Sequence, residues 1–177
     1  MKRLFSILLV CVFLLSGCAF GQGRMKEPVT FHYLRNYDTS DNYKSFFTEG
    51  AMGSEIREAA GHRNDLVYLL SIYLQGPLDP ELKRPFPYDC RVVGIVQDNQ
   101  TLTVKLNAMA ANLDEMKLTV ACACLAKTVM ELTDAQTVII QAIGLDQQPL
   151  FSRSFTAENL LLEDSTTHST EAATDTH

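Results

Sequence analysis

Residues 64–106, NDLVYLLSIYLQGPLDPELKRPFPYDCRVVGIVQDNQTLTVKL, decide the fold. Leu66, Leu69, Leu70, Tyr73 and Leu74 recur at three- and four-residue steps. That spacing predicts an amphipathic helix with one apolar stripe. Asn64 or Asp65 can accept from the free N–H groups of its first turn. Gly76 suits the left-handed conformation that ends a helix, and Pro77 cannot continue one. Pro80, Pro85 and Pro87 then make a stiff connection from Leu78 to Tyr88. Two strands follow, joined by a turn at Asp98-Asn99-Gln100. In the second, Leu102, Val104 and Leu106 alternate with Thr101, Thr103 and Lys105, so one face is buried. The first, Arg91 to Gln97, is apolar on both sides (Val92, Val93, Ile95, Val96), which predicts a central strand covered on both faces.

Downstream, a second helix is expected from about Glu115 to Leu132, because Leu118, Cys122, Leu125, Ala126, Val129 and Leu132 keep helical spacing. Thr137 to Ile143 is another strand. A turn at Gly144 to Gln148 returns the chain as Pro149 to Phe155, where Pro149 and Arg153 suit an edge strand. Asn159 to Leu162 is a last apolar patch. Upstream, Val29 to Leu34 alternates as a first strand, and Tyr43 to Thr48 is a candidate short strand. Ser54 to Ala60 fits strand or helix. The order strand, helix, strand, strand, helix, strand predicts a single α/β domain: a mixed sheet with two helices packed on one face.

The first residues have the features of a targeting segment. Lys2 and Arg3 precede an apolar run, Leu4 to Leu15, too short for a good transmembrane helix. Leu15-Ser16-Gly17-Cys18 then resembles the lipobox of bacterial lipoproteins, in which the thiol of the cysteine receives a diacylglyceryl group. Residues 1–17 are accordingly expected to be a lipoprotein signal peptide and Cys18 the lipidation site. Residues 18–28 would be a tether; about ten flexible residues span roughly 17 Å, which keeps the domain near the bilayer. The domain itself would run over 29–162. Residues 163–177, rich in Ser, Thr, Asp and Glu, are expected to be a disordered acidic tail. Acyl chains on Cys18 would hold the protein on the outer face of the cell membrane.

The net charge of the whole chain is −6. An acidic product without basic clusters argues against nucleic acid as a partner. Of five cysteines, Cys11 and Cys18 fall in the leader and at the lipid site. Cys90, Cys122 and Cys124 remain, an odd number that disfavours a disulfide framework, although one bond from Cys90 to the helix stays open. Cys122 and Cys124 form a C-x-C, but on a helix they point about 200° apart and cannot easily share a metal. No metal or cofactor is expected. His32 on a strand and His62 beside Arg63 and Asp65 lack a nucleophile motif nearby, so no catalytic residues are assigned and no enzyme is expected.

The strand VTFHYL, the helix ending YLLSIYLQGP, the hairpin VVGIVQDNQTLTVKL, the helix LTVACACLAKTVMEL and the strand TVIIQAIG together resemble the GerMN domain family of sporulation and germination proteins. The resemblance covers Val29 to roughly Leu150. The hairpin turn departs from the family's acidic-Gly pattern, and the late turn has Gln147-Gln148-Pro149 where the family often has Gly-Lys-Pro. The resemblance implies an α/β domain akin to the ring-building domains of secretion machines. It would act through protein contacts in a sporulation, germination or other cell-envelope assembly, with partners unidentified. The alternatives are a surface lipoprotein that captures a small ligand or wall component, and a wall hydrolase.

Overall fold

The structure, a computed structural model, describes residues 27–36 and 50–160. The signal peptide, nearly all of the tether, the candidate strand Tyr43–Thr48 and the acidic tail lie outside the described residues. Two helices and seven strands are described, in two sheets. The α/β class is the one the sequence indicates.

The organising helix, α1 (Leu66–Gln75), forms where the apolar stripe predicts it and buries Leu69, Leu70, Tyr73 and Leu74. The carboxylate of Asp65 caps it, accepting from Tyr68 N at 3.0 Å. Gly76 ends it with φ +99° and ψ 172°, a backbone region held almost only by glycine. A Cβ there would also lie 2.9 Å from Nε of Arg84. The proline-rich connection is nearly strand-free, with only the two-residue β3 (Leu82–Lys83).

The larger sheet runs β4-β5-β6-β7. β4 (Val92–Asp98) and β5 (Thr101–Asn107) form the hairpin, and Asn99 takes the left-handed conformation, φ +53°, at its turn. A short 3₁₀ helix (Ala108–Asn112) leads into α2 (Glu115–Leu132). α2 supplies the crossover that a parallel pair requires, so β6 (Thr137–Ile143) runs parallel to β5. β7 (Pro149–Thr156) returns antiparallel as the edge. Leu102, Val104 and Leu106 of β5 and Val138, Ile140 and Ala142 of β6 point into the core.

One strand differs from expectation. Arg91–Gln97, predicted to be central and covered, is the exposed edge β4. The register shifts between Val92 and Gly94, so Val93 is a bulge residue. The bulge changes the side-chain period: Val92 and Ile95 share the inner face with Leu106 and Val104, whereas Val96 shares the outer face with Thr103. Apolar residues on both sides came from a shifted phase, not from two covered faces.

The first strand also has its own sheet. β1 (Pro28–Arg35) pairs along its length with β2 (Met52–Glu58), and with β3 only at Leu34 and Arg35. The ambiguous segment Ser54–Ala60 is thus largely strand. Apart from Leu34 and Arg35, the other edge of β1 lies against α2 instead of a strand. His32 N donates to Oγ1 of Thr128 at 2.9 Å, and that hydroxyl donates to Cys124 O at 2.9 Å. α2 is covered on both sides, by β1 and by the larger sheet. Its residues 121–126 (Ala-Cys-Ala-Cys-Leu-Ala) are accordingly all buried, and their small side chains let the strand approach closely.

Candidate protein-interaction surface

Of the residues singled out by chemistry, the three described cysteines and His32 are buried. Cys90, Cys122 and Cys124 are free and buried, and burial pushes each thiol up to about 12. Thiols so held are protonated at ordinary pH and are poor nucleophiles. Cys122 and Cys124 point apart, yet both are buried because α2 has cover on both sides. His32 is almost wholly buried, with Nε2 2.8 Å from Oε1 of Glu131. His62 is exposed at the start of α1, stacked on Tyr68 with ring centroids 3.9 Å apart. The two histidines are not brought together into one site. Among the described residues no cluster of three His, Cys, Asp or Glu side chains is placed to hold a metal. None of the described helices is long and apolar enough to cross a membrane. Cys18 lies outside the described residues.

A polar knot fixes the end of α1. The Glu55 carboxylate accepts from Arg57 and from the backbone N–H groups of Leu78 (2.9 Å) and Asp79 (3.2 Å). Burial pushes its pKa up, but the Arg57 hydrogen bond and the two N–H groups outweigh that and hold it below the usual carboxylate value. Arg57 in turn donates to Gly76 O at 2.6 Å, and its guanidinium lies over the rings of Phe31 and Tyr33. Beneath it Tyr33 and Tyr73 stack at 4.8 Å. The Glu55 carboxylate and the Arg57 guanidinium are both engaged, and their effect is to set the chain direction after Gly76.

What remains open is the outer face of the larger sheet. Its rows are Gly94–Lys105–Gln141–Ser152 and Val96–Thr103–Ile139–Ser154. A groove of about 670 Å³ crosses one end of this face. Val93, Gly94 and Val96 of β4, Lys105 of β5, Met109 of the 3₁₀ helix, and Ile143 and Leu145 around the end of β6 line it. Val93 is 55% and Val96 49% exposed, and Leu145 is fully exposed. These exposed apolar side chains make the groove a candidate contact surface. Lys105 is the one charged residue in the lining, which holds no carboxylate. Sequence reasoning missed this surface. The available signal was Gly94 inside a strand, which often marks a bulge or a close approach.

The two edges of the sheet differ. β7 is the segment in which Pro149 and Arg153 suit an edge strand. It is an edge, but its backbone is partly closed: Thr156 N donates to Oδ1 of Asn159 at 2.8 Å, and Nδ2 of Asn159 donates to Ser154 O at 3.5 Å. Arg153 lies on the inner face, opposite Ile140, and pairs with Glu115 of α2. An inward-pointing charge on an edge strand discourages further pairing. β4 makes backbone hydrogen bonds only within its hairpin among the described residues.

Two sheets enclosing a central helix, with one face of the larger sheet open among the described residues, define an α/β domain. Two solved structures are similar to it in fold. One is a Clostridium perfringens chain provisionally described as a lipoprotein, 15% identical, with a TM-score of 0.44 over 74% of this chain and 87% of that chain. The other holds the tandem GerMN domains of the sporulation protein GerM from Bacillus subtilis, 14% identical, with a TM-score of 0.48. That match covers 75% of this chain and 46% of the other, so this chain spans about half of the tandem pair. No protein-family model matches the chain, and no curated protein matches it.

Proposed function

We propose that the chain is a non-catalytic protein-interaction domain of the cell envelope, held at the outer face of the membrane by acyl chains on Cys18. It would serve a sporulation, germination or related envelope assembly. The observation that carries the reading is the open face of the larger sheet, with its apolar groove beside an exposed edge strand. The lipobox-like Leu15-Ser16-Gly17-Cys18 supports the location. The GerMN resemblance in the sequence supports the assembly. A hydrolase would need a nucleophile or metal constellation, and the described residues supply buried thiols and two separated histidines instead.

The test is photocrosslinking in intact cells. A benzoylphenylalanine placed at Ser152 or Ser154, on the outer sheet face, is expected to give a reproducible adduct with one envelope protein. The same group at exposed Val67 on α1 should not. Absence of any protein adduct from the sheet face, with a small molecule co-purifying in stoichiometric amount, would overturn the reading.

A further inference from the structure

We propose that β4 is extended by a strand from the partner, and that the added segment carries an acidic side chain that crosses Gly94 to reach Lys105. This rests on the interaction reading above and names the chemistry of the partner.

Three independent observations carry it. The first is the edge itself. β4 has no backbone partner beyond β5 among the described residues, whereas β7 is partly closed by Asn159 and guarded by Arg153. Unpaired strand edges accept extended peptides by main-chain hydrogen bonding, with pockets selecting alternate side chains. Val93 and Val96 supply apolar contact at that edge.

The second is Gly94. It has no left-handed φ, and a Cβ built on it would come no closer than 3.8 Å to Lys105 Cδ. Neither its backbone nor its packing within the chain calls for glycine. The missing side chain instead leaves a clear corridor across the outer face from the edge to the groove.

The third is charge. Lys105 is directly opposite Gly94 in the register, forms no ion pair or hydrogen bond among the described residues, and is the sole charge lining the groove. An added strand lies about 4.8 Å beyond β4, and so roughly 10 Å from β5. That gap is spanned when a lysine and a glutamate extend toward each other over a residue with no side chain. In a chain of net charge −6, a groove with one ammonium and no carboxylate selects an acidic guest.

Two synthetic peptides test this on the purified full chain: acetyl-SVTETVS-amide and its counterpart SVTKTVS, in which lysine replaces the central glutamate. The glutamate peptide is expected to bind more tightly. Lys105→Glu should reverse the order, each change being about fivefold, the scale of a partly exposed ion pair. Hydrogen exchange should show alternate β4 amides protected by the glutamate peptide and β7 amides unchanged. Gly94→Val should abolish binding of both peptides while thermal unfolding shows an intact fold, since the strand has room for the new side chain. Equal affinity for the two peptides, an unchanged preference in Lys105→Glu, or protection falling on β7 would overturn the proposal. If neither peptide binds but the sheet-face adducts persist in cells, strand addition falls and the interaction reading stands. If the adducts also vanish, both fall.

Discussion

At the scale of single residues, Gly76 and Glu55 decide where the chain goes after α1. Gly76 holds φ +99°, where any side chain is strained, and a Cβ there would also displace the Arg84 guanidinium. Gly76→Ala should destabilise the domain by about 1–3 kcal/mol, read as a lower urea midpoint. Glu55 binds the first residues of the connection through the backbone N–H groups of Leu78 and Asp79, and accepts a third hydrogen bond from Arg57. Its carboxylate is held below its ordinary pKa, so the stability it contributes is present above the usual carboxylate range and is lost as pH falls through its lowered value. Glu55→Gln should therefore lower the melting temperature clearly at pH 7. The gap from wild type should narrow below about pH 4, where unfolded carboxylates take up protons. A gap constant across pH would rule out the charge as its source. Gly76 was legible in the sequence because Gly-Pro after an apolar stripe has one common meaning. Glu55 was not, because its three donors come from residues up to 24 positions away and no local pattern records them.

At the scale of elements, the contact between β1 and α2 replaces a strand pairing with one hydroxyl. Thr128 Oγ1 is the acceptor for His32 N in a buried setting. Thr128→Val preserves shape but leaves that N–H without a partner, at a cost of about 1–3 kcal/mol. Amide exchange at His32 should accelerate more than exchange in β5 or β6. Equal acceleration everywhere would mean that the bond is incidental. Helices and strands were readable from periodicity because one-sided burial imposes it: the β5 alternation and the α1 stripe both appear in the fold. The division into two sheets was not readable, since strand spacing says nothing about which edge meets which neighbour. The candidate surface escaped for a related reason. A bulge at Val93 gives β4 the apolar signature of a central strand, while the strand lies at the edge with Val96 facing solvent.

At the scale of the whole molecule, location and contact are linked. Cys18→Ala should move the protein from the membrane fraction to the soluble fraction; Cys18 lies outside the described residues, and no contact described for the domain involves it. Retention at the membrane would show that something other than acyl chains anchors it. The His32–Thr128 bond also joins positions 96 apart in the chain. Synthesis proceeds from the N-terminus, so β1 emerges long before the helix that completes its surroundings. Until α2 arrives, the edge of β1 that carries the His32 N–H lacks the Thr128 hydroxyl that accepts from it. Contacts of such long span close slowly. The newborn domain therefore passes through an interval with that edge of β1 unpaired, when proteases and chaperones compete for it. A shorter route from β1 to α2, as in a circularly permuted chain, would shorten that interval without altering a single contact in the finished fold.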